Sequence, residues 1–476
     1  MLNKCRIYLL DPKMLDPETI AVTFAKTSRS PLSFREIADE LTAEKSAEFH
    51  EKWVVGYGHA SVAEHAVLHI AIENVSRLAV ETIESNRLAS YTEKSTRYQT
   101  WGKDDFAVPP ELLHHPLASV YYQTCSHLFL AYQRALPALK AVAEQENPRL
   151  PDESTQSWDR RLRTIYVDVA RYFLPAAALA NVGMTINARA LEHAITKMLS
   201  SPLKEVQEIG KDMKQVACAK VPTLIKYAEA DSYLCNVRQA LTETREAIPA
   251  VPSGATGWCR LIASDPQGED QVLASALYRF AQSDYAHCLA FVRNLSAADR
   301  ENLAKQVIGN PGAHGIPVRE LEHTNYTFDL ILDQGAYFEL KRHRMMTQTP
   351  QLLTARLGYA MPRMIVTAGL ETAFREAMAV AQETYEKIAV FNPEVAAYVV
   401  PNAFNRRVLL TLNLRAAHHL VRLRTAPNAH FAMRRVANCI AEYIRGVHPL
   451  LAGLLLSSER QEDWQKIEQR YFAQIM

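Results

Sequence analysis

The sequence predicts an α/β (α+β) protein in which one domain occurs twice in tandem. Three observations predict it. The first half combines helix-forming segments with a strand-like run, and a similar run opens in the second half. A Pro/Ser/Gly-rich stretch, "IPAVPSGATG" at 248–257, divides the chain nearly in half. Short blocks of the first half return in the same order in the second.

The elements follow in order. Ser33 and Glu36 in "SFRE" have the spacing of a capping box, with Leu32 and Ile37 placed as a hydrophobic staple. An amphipathic helix is expected from there to about Trp53. "AVLHIAIENV", 66–75, alternates and carries branched residues, so it reads as a strand. "LASYTEKSTRY", 88–98, reads as a polar loop or short helix. Helices are expected over 116–145, 155–172 and 189–228, the last interrupted near "SSPL".

The repeat rests on spacing. "TINARALEH" begins at Thr185 and "TLNLRAAHH" at Thr411, 226 residues on (411 minus 185). "RYFLP" ends at Pro175 and "AYVVP" at Pro401, the same separation. Glu64-His65 opens a run ending at Arg87. Glu322-His323 opens a similar run ending at Arg344, at separations of 258 (322 minus 64) and 257 (344 minus 87). The expected organisation is a first domain over 1–247, a linker over 248–257 and a second domain over 258–476.

Composition narrows the functional classes. The chain has 476 residues, 48% hydrophobic and 22% charged, ordinary for a soluble globular protein. Lys+Arg number 53 against 52 Asp+Glu, so no global field draws nucleic acid or an anionic membrane. Anion binding must come from local clusters. The seven cysteines form no CxxC pair, which speaks against zinc and against a disulfide framework. A reducing cytoplasm is the expected compartment. "MLNKCRIYLLDPK" has too short an apolar core for a signal peptide. "FLPAAALANVGMTI" falls short of the ~18 residues a membrane span needs.

Two stretches concentrate donors. In the first, "SYTEKSTRY", Ser95 and Arg97 suit a phosphate and Glu93 a uracil edge or ribose hydroxyl, with a polar turn in solvent as the alternative. "FELKRHRMMTQTPQLLTARLGY" places Arg342, His343 and Arg344 in line, and arginine forks suit phosphate oxygens. A solvated basic patch at a strand end is the alternative. "GHASVAEH" supplies His59, Ser61 and Glu64; its histidines are not one helical turn apart, so no metal site is expected. Asn187 and Arg189, like Asn413 and Arg415, stand two apart and would diverge within a helix. Only a helix start or loop lets both face one ligand; the alternative is helix-surface residues.

Taken in order, "GHASVAEH", "NRLASYTEKSTRY", "ARYFLP" and "TINARALEH" of the first half resemble the landmarks of flavin-dependent thymidylate synthases. So do "LKRHR", "LLTAR", "TLNLRAAHH" and "RLRTAPNAHFAMRR" of the second. The resemblance covers about residues 35–230 and 265–455. It implies two tandem domains of that family, each a mixed sheet packed with long helices. A homodimer would then mimic the family's homotetramer. It also implies FAD as cofactor and dUMP as substrate, with NADPH and methylenetetrahydrofolate as co-substrates, and dTMP as product. A catalytic cysteine is not required.

The resemblance assigns roles by position. His59, Ser61, Glu64, Asn187, Arg189, Arg342, His343 and Arg344 would hold FAD. Glu93, Ser95, Arg97, Arg171, Arg342 and Arg424 would hold the nucleotide, with Arg424 and Ser95 nearest the chemistry. The departures from the family pattern are complementary. In the first half Arg-His-Arg has become Ser85-Asn86-Arg87, and the later arginine is missing near Met198. In the second half the Glu-x-Ser-x-Arg loop has become "LLTAR", with Leu352 or Leu353 in place of the glutamate. Ala397 stands in place of Arg171. One complete site therefore requires unlike halves. Two other functions fit the same residues: a flavoenzyme modifying another nucleotide, and a non-catalytic paralogue that binds nucleotide or a partner.

Overall fold

The computed structural model describes residues 15–26, 30, 32–56, 59–97, 99–249, 257–309, 315–455 and 462–475. Most of the expected linker (250–256), the opening segment, Gly58 of "GHASVAEH" and 310–314 lie outside the described residues. Helix and sheet are both present, as expected. Packing divides the chain into two compact units. One comprises Met1–Lys94, Phe106–Ala118 and Ala177–Ala250; the other comprises Ser95–Asp105, Ser119–Ala176 and Val251–Met476. The second unit thus contains two stretches of the first sequence repeat.

In the first unit, Ser33 and Glu36 form the expected capping box on the helix Phe34–Asp39. The helical run reaches Trp53 only in pieces, the last of them a π-helix over His50–Gly56. Thr42 accepts the amide of Lys45 and starts a new helix, Ala43–Phe49, so the chain breaks at 40–42. The sheet consists of β1 (Val67–Ser76), β2 (Ala89–Glu93) and β3 (Leu179–Asn187), in the order β1-β3-β2. Leu68, Ile70 and Ile72 alternate into the core. "LASYTEKSTRY" therefore begins as a strand rather than a loop or short helix. As an edge strand β2 satisfies its amides against β3, so it needs little apolar patterning. The helical run expected over 189–228 ends earlier, as Ala188–Leu199 and Lys204–Cys218.

In the second unit, β4 (Cys259–Ser264), β5 (Asn325–Asp333), β6 (Thr347–Pro350) and β8 (Asn405–Asn413) form a sheet ordered β4-β5-β8-β6. The short β7 (Met361–Pro362) pairs with β9 (Phe472–Gln474). Every strand pairing among the described residues is antiparallel, so the sheets are antiparallel rather than mixed. The physical reason is placement: β1 and β2 run the same way but are separated by β3, as β5 and β6 are by β8.

The two sheets share one register. Val67 faces Asn187 as Asn325 faces Asn413, and Ser90 faces Thr185 as Thr347 faces Thr411. The bulge between Ile72 and Val75, with Asn74 at φ 57°, gives β1 one residue more than β5. That extra residue is why the repeat separation falls from 258 to 257 along these strands.

The core of the second unit is aromatic. Phe173 meets Phe374 edge-to-face at 4.9 Å, and Tyr121, Tyr132, Tyr385 and Tyr398 are fully buried. The helices Ala118–Glu146, which belongs here from Ser119 on, and Glu371–Phe391 share a buried Thr124–Thr384 hydrogen bond of 2.7 Å. At Pro175 and Pro401 the chain pairs with its own repeat. Ala176 N–H donates to the Val400 carbonyl at 3.0 Å, and Asn402 N–H donates to the Leu174 carbonyl at 2.9 Å.

Candidate functional site

In the second unit, the helix Gln334–Leu340 is buried along its whole length and capped by Asp333, whose Oδ1 accepts the Ala336 amide at 2.8 Å. Burial pushes the Asp333 carboxyl up to about 6, against the opposing pull of that amide and of Arg171 and Arg435. The helix carries Glu339 inward and releases the chain at Arg342-His343-Arg344. The helix Leu414–Arg424 brings Arg424 to the same place. Its guanidinium donates to His343 Nε2 (2.9 Å), to the Glu339 carboxylate (2.5 Å) and to the Glu339 carbonyl (3.1 Å). Because His343 Nε2 accepts, the ring is neutral. Burial, then Arg424 and His419, hold its pKa down at about 3.

The first repeat supplies the opposite wall within this same unit. Arg171, 2% exposed, lies 4.0 Å from Glu339 and 3.5 Å from Asp168, and donates to Thr96 Oγ1 at 3.2 Å. Arg97 grips Asp168 through Nε and Nη2 at 2.9 and 2.7 Å, and donates to the Asn428 carbonyl at 3.1 Å. Ser95 Oγ accepts the Arg97 amide at 3.2 Å, which fixes the loop. His430 is buried beside Tyr172 and Phe431. Burial, then Arg171, Arg97 and Arg424, hold it neutral. Arg342 is exposed, yet its charge reaches both Glu339 and Arg424. Arg344 is half-buried, and Arg422 is turned outward.

The packing thus gathers Ser95, Arg97, Arg171, Arg342, His343 and Arg424 into one cluster. Motif reasoning missed its acids, Asp168 and Glu339, and the buried His430. A sequence trace of the acids is their spacing, each three residues before an arginine (Asp168 before Arg171, Glu339 before Arg342), which by itself does not set them against the cluster.

The remaining expected residues lie in the first unit. His59, Ser61 and Glu64, with His65, line a cavity of about 640 Å³ whose other walls include Phe24, Phe49 and Trp53. Asn187 caps the helix Ala188–Leu199 through the Ala190 amide at 2.9 Å, and Arg189 pairs with Glu64 at 2.5 Å. The second unit repeats both contacts: Asn413 caps at 2.8 Å and Arg415 pairs with Glu322 at 2.6 Å. Glu93 forms a buried ion pair with Arg77 at 2.8 Å. Lys197 donates to Ser85 Oγ (2.6 Å) and Asn86 Oδ1 (2.8 Å), and burial lowers its pKa to about 8.

Register corrects one alignment. Glu93 faces Val182 and Pro350 faces Val408, 226 residues later, so Pro350 rather than Leu352 or Leu353 occupies the Glu93 position. The two extra residues of the second loop come after the strand, where no ladder fixes them. Arg356 then points to Glu386 and is far more exposed than Arg97 (side chains 62% and 17%).

The sequence profile of the thymidylate synthase complementing protein family matches residues 9–223 and 260–450. The chain belongs to this family. Two matched segments in one chain agree with the tandem duplication. A UPF0159 protein of Chlamydia muridarum is 32% identical over 448 residues, covering 87% of this chain and 82% of its own length. A flavin-dependent thymidylate synthase of Clostridium tetani is 25% identical over 215 residues, covering 45% of this chain and 82% of its own. The crystal structure of a flavin-dependent thymidylate synthase from Helicobacter pylori, complexed with FAD and dUMP, is 20% identical. It covers 45% of this chain and 95% of that one, with a TM-score of 0.28. The C. tetani relative thus aligns with less than half of this chain.

Proposed function

We propose that the chain catalyses FAD-dependent methylation of dUMP to dTMP, with methylenetetrahydrofolate as one-carbon donor and NADPH as reductant, at a site drawn from unlike repeats. The observation that carries this reading is the buried cluster of Arg97 and Arg171 with Arg424 and His343. Arg97, Arg171 and Arg342, with the Ser95 hydroxyl, neutralise the nucleotide phosphate. Arg424 polarises a uracil carbonyl and stabilises the charge that develops as C5 becomes nucleophilic. Held between His343 and Glu339, it is oriented before the substrate arrives.

The first-unit cavity fits a flavin: Phe24 and Trp53 offer flat faces, and His59 and Ser61 offer hydrogen-bonding groups. FAD, once reduced, supplies the hydride that completes the methyl group. Glu64 and Arg189 form an ion pair that both repeats keep, so their part is to shape that cavity's rim. Within the second unit, the Arg342–Arg344 run offers donors suited to a flavin phosphate in this reading.

Calorimetry at fixed salt and saturating FAD tests the reading. Arg97→Ala and Arg342→Ala each weaken dUMP binding by about 1.5–3 kcal/mol, and non-additively, because they share one ligand. Arg356→Ala and Lys94→Ala leave it unchanged. Loss on Arg356→Ala with none on Arg97→Ala would move the site into the second repeat alone. Titration should give one FAD per chain, and light scattering a homodimer. A second reading, a flavoenzyme acting on another nucleotide, rests on the altered "TQTPQLLTAR" loop of the second repeat. Tight FAD uptake without dUMP binding selects it. Colourless protein that takes up no FAD selects a non-catalytic binder.

A further inference from the structure

We propose that Glu339 is an internal counter-anion of the arginine cluster, and that it limits the negative charge a ligand can bring there to that of a phosphate monoester. The inference rests on the anion-binding reading above. The carboxylate lies 2.5 Å from Arg424 and 4.0 Å from Arg171, inside the set of cations a phosphate would use. Its side chain is 7% exposed, so water does little to screen it. Asp168 plays the same part for Arg97, at 2.7 Å, and for Arg171, at 3.5 Å.

The charge balance follows. Four arginines (Arg97, Arg171, Arg342 and Arg424) face two carboxylates, leaving two positive charges. A monophosphate dianion neutralises these. A diphosphate or triphosphate brings surplus negative charge against a fixed carboxylate that cannot leave. Burial would raise the Glu339 pKa, but Arg171, Arg424, Arg342 and Arg97 together hold it at about 2, so the charge is present at neutral pH. Thr82 stands at the equivalent place in the first repeat, so the carboxylate belongs to the second repeat only.

Glu339→Gln tests this. Glutamine keeps the shape, an oxygen acceptor for Arg424 and the backbone carbonyl that Arg424 also uses, and removes only the charge. Inorganic phosphate and pyrophosphate are the probes, read by calorimetry and by the rise in Tm. The variant should bind phosphate about tenfold more tightly than wild type, the order expected for removing one nearby like charge. The gain for pyrophosphate should be larger. Should the variant be unstable without anions, phosphate should restore its Tm at concentrations that leave wild type unmoved. Equal phosphate and pyrophosphate effects on the two proteins would overturn the proposal, as would a variant that phosphate fails to stabilise. If the anion effects occur but dUMP binds neither protein, the role of Glu339 stands and the nucleotide reading fails.

Discussion

The β1–β3 region and the β5–β8 region are one design used twice, and their differences sort residues by purpose. Both keep the register, the asparagine cap and the Arg–Glu pair across the helix start. These features hold the fold, whichever repeat they sit in. What is not shared is charge. Arg171 in one repeat is Ala397 in the other; Arg342-His343 answers to Ser85-Asn86; Arg424 answers to Met198. At the emptied position of the first repeat, neighbouring Lys197 reaches across to Ser85 and Asn86. Duplicated structure thus acts as an internal control: Arg171, Arg342 and Arg424, each kept in a single copy, stand out as candidates for chemistry.

Arg171→Ala should break the comparison most visibly. Alanine already stands at 397 on the matching turn, so the backbone accepts it. The loss is electrostatic, because Asp168 and Glu339 are left buried with one cation fewer. Urea unfolding at neutral pH should show about 3–5 kcal/mol of destabilisation, the scale for breaking a buried pair. A loss below about 1 kcal/mol would place Arg171 with ordinary surface pairs.

Asp333 and Ser76 cap equivalent helices, but only Asp333 titrates. Its folded pKa of about 6 lies above the unfolded value of about 3.9. Its contribution is therefore fully present below about pH 4 and lost as pH rises through about 6. Asp333→Asn keeps the cap, since asparagine caps as well as aspartate. Stability measured at pH 4 and pH 7 should fall by about 2 kcal/mol more in wild type than in the variant. Glu339 acts in the opposite sense and in a lower window, losing its contribution as pH falls from about 4 toward 2. A variant with the same slope as wild type would remove Asp333 as the source.

The smallest effect sharpens the rule for shared residues. Asn187→Ala and Asn413→Ala should each cost about 1 kcal/mol of stability, in equal measure, as expected for lost caps. A loss of FAD binding confined to Asn187→Ala, without loss of stability, would return that residue to the cofactor set.

The repeat was legible in the sequence because motifs in fixed order survive even where single residues drift. The helix starts at Ser33 and Asn187 were readable or half-readable because capping chemistry is local. β2 was not, because Ser90, Tyr91, Thr92 and Glu93 offer little apolar alternation and an edge strand does not require it. The cations of the cluster were legible through resemblance, but their acids were not. Asp168 and Glu339 belong to no motif, and only packing shows that they face the arginines. The departure of Ser95–Asp105 and Ser119–Ala176 from the rest of their repeat was equally hidden, since contacts distant in sequence leave no periodic trace.

The pairing at Pro175 and Pro401 has a further consequence. Residues 174, 175 and 176 meet residues 400, 401 and 402, each the other's equivalent, and the two hydrogen bonds are reciprocal. That reciprocity is the mark of a two-fold axis. Between identical subunits such an axis copies every mutation to both sides, so neither side can change alone. Here the gene writes the two sides separately. Asn402 donates its side-chain amide to the Arg171 carbonyl at 2.9 Å, while the mirror positions hold Ala176 and Ala397. A change beside the axis is expressed once per molecule, and selection can act on each side of the former symmetry independently.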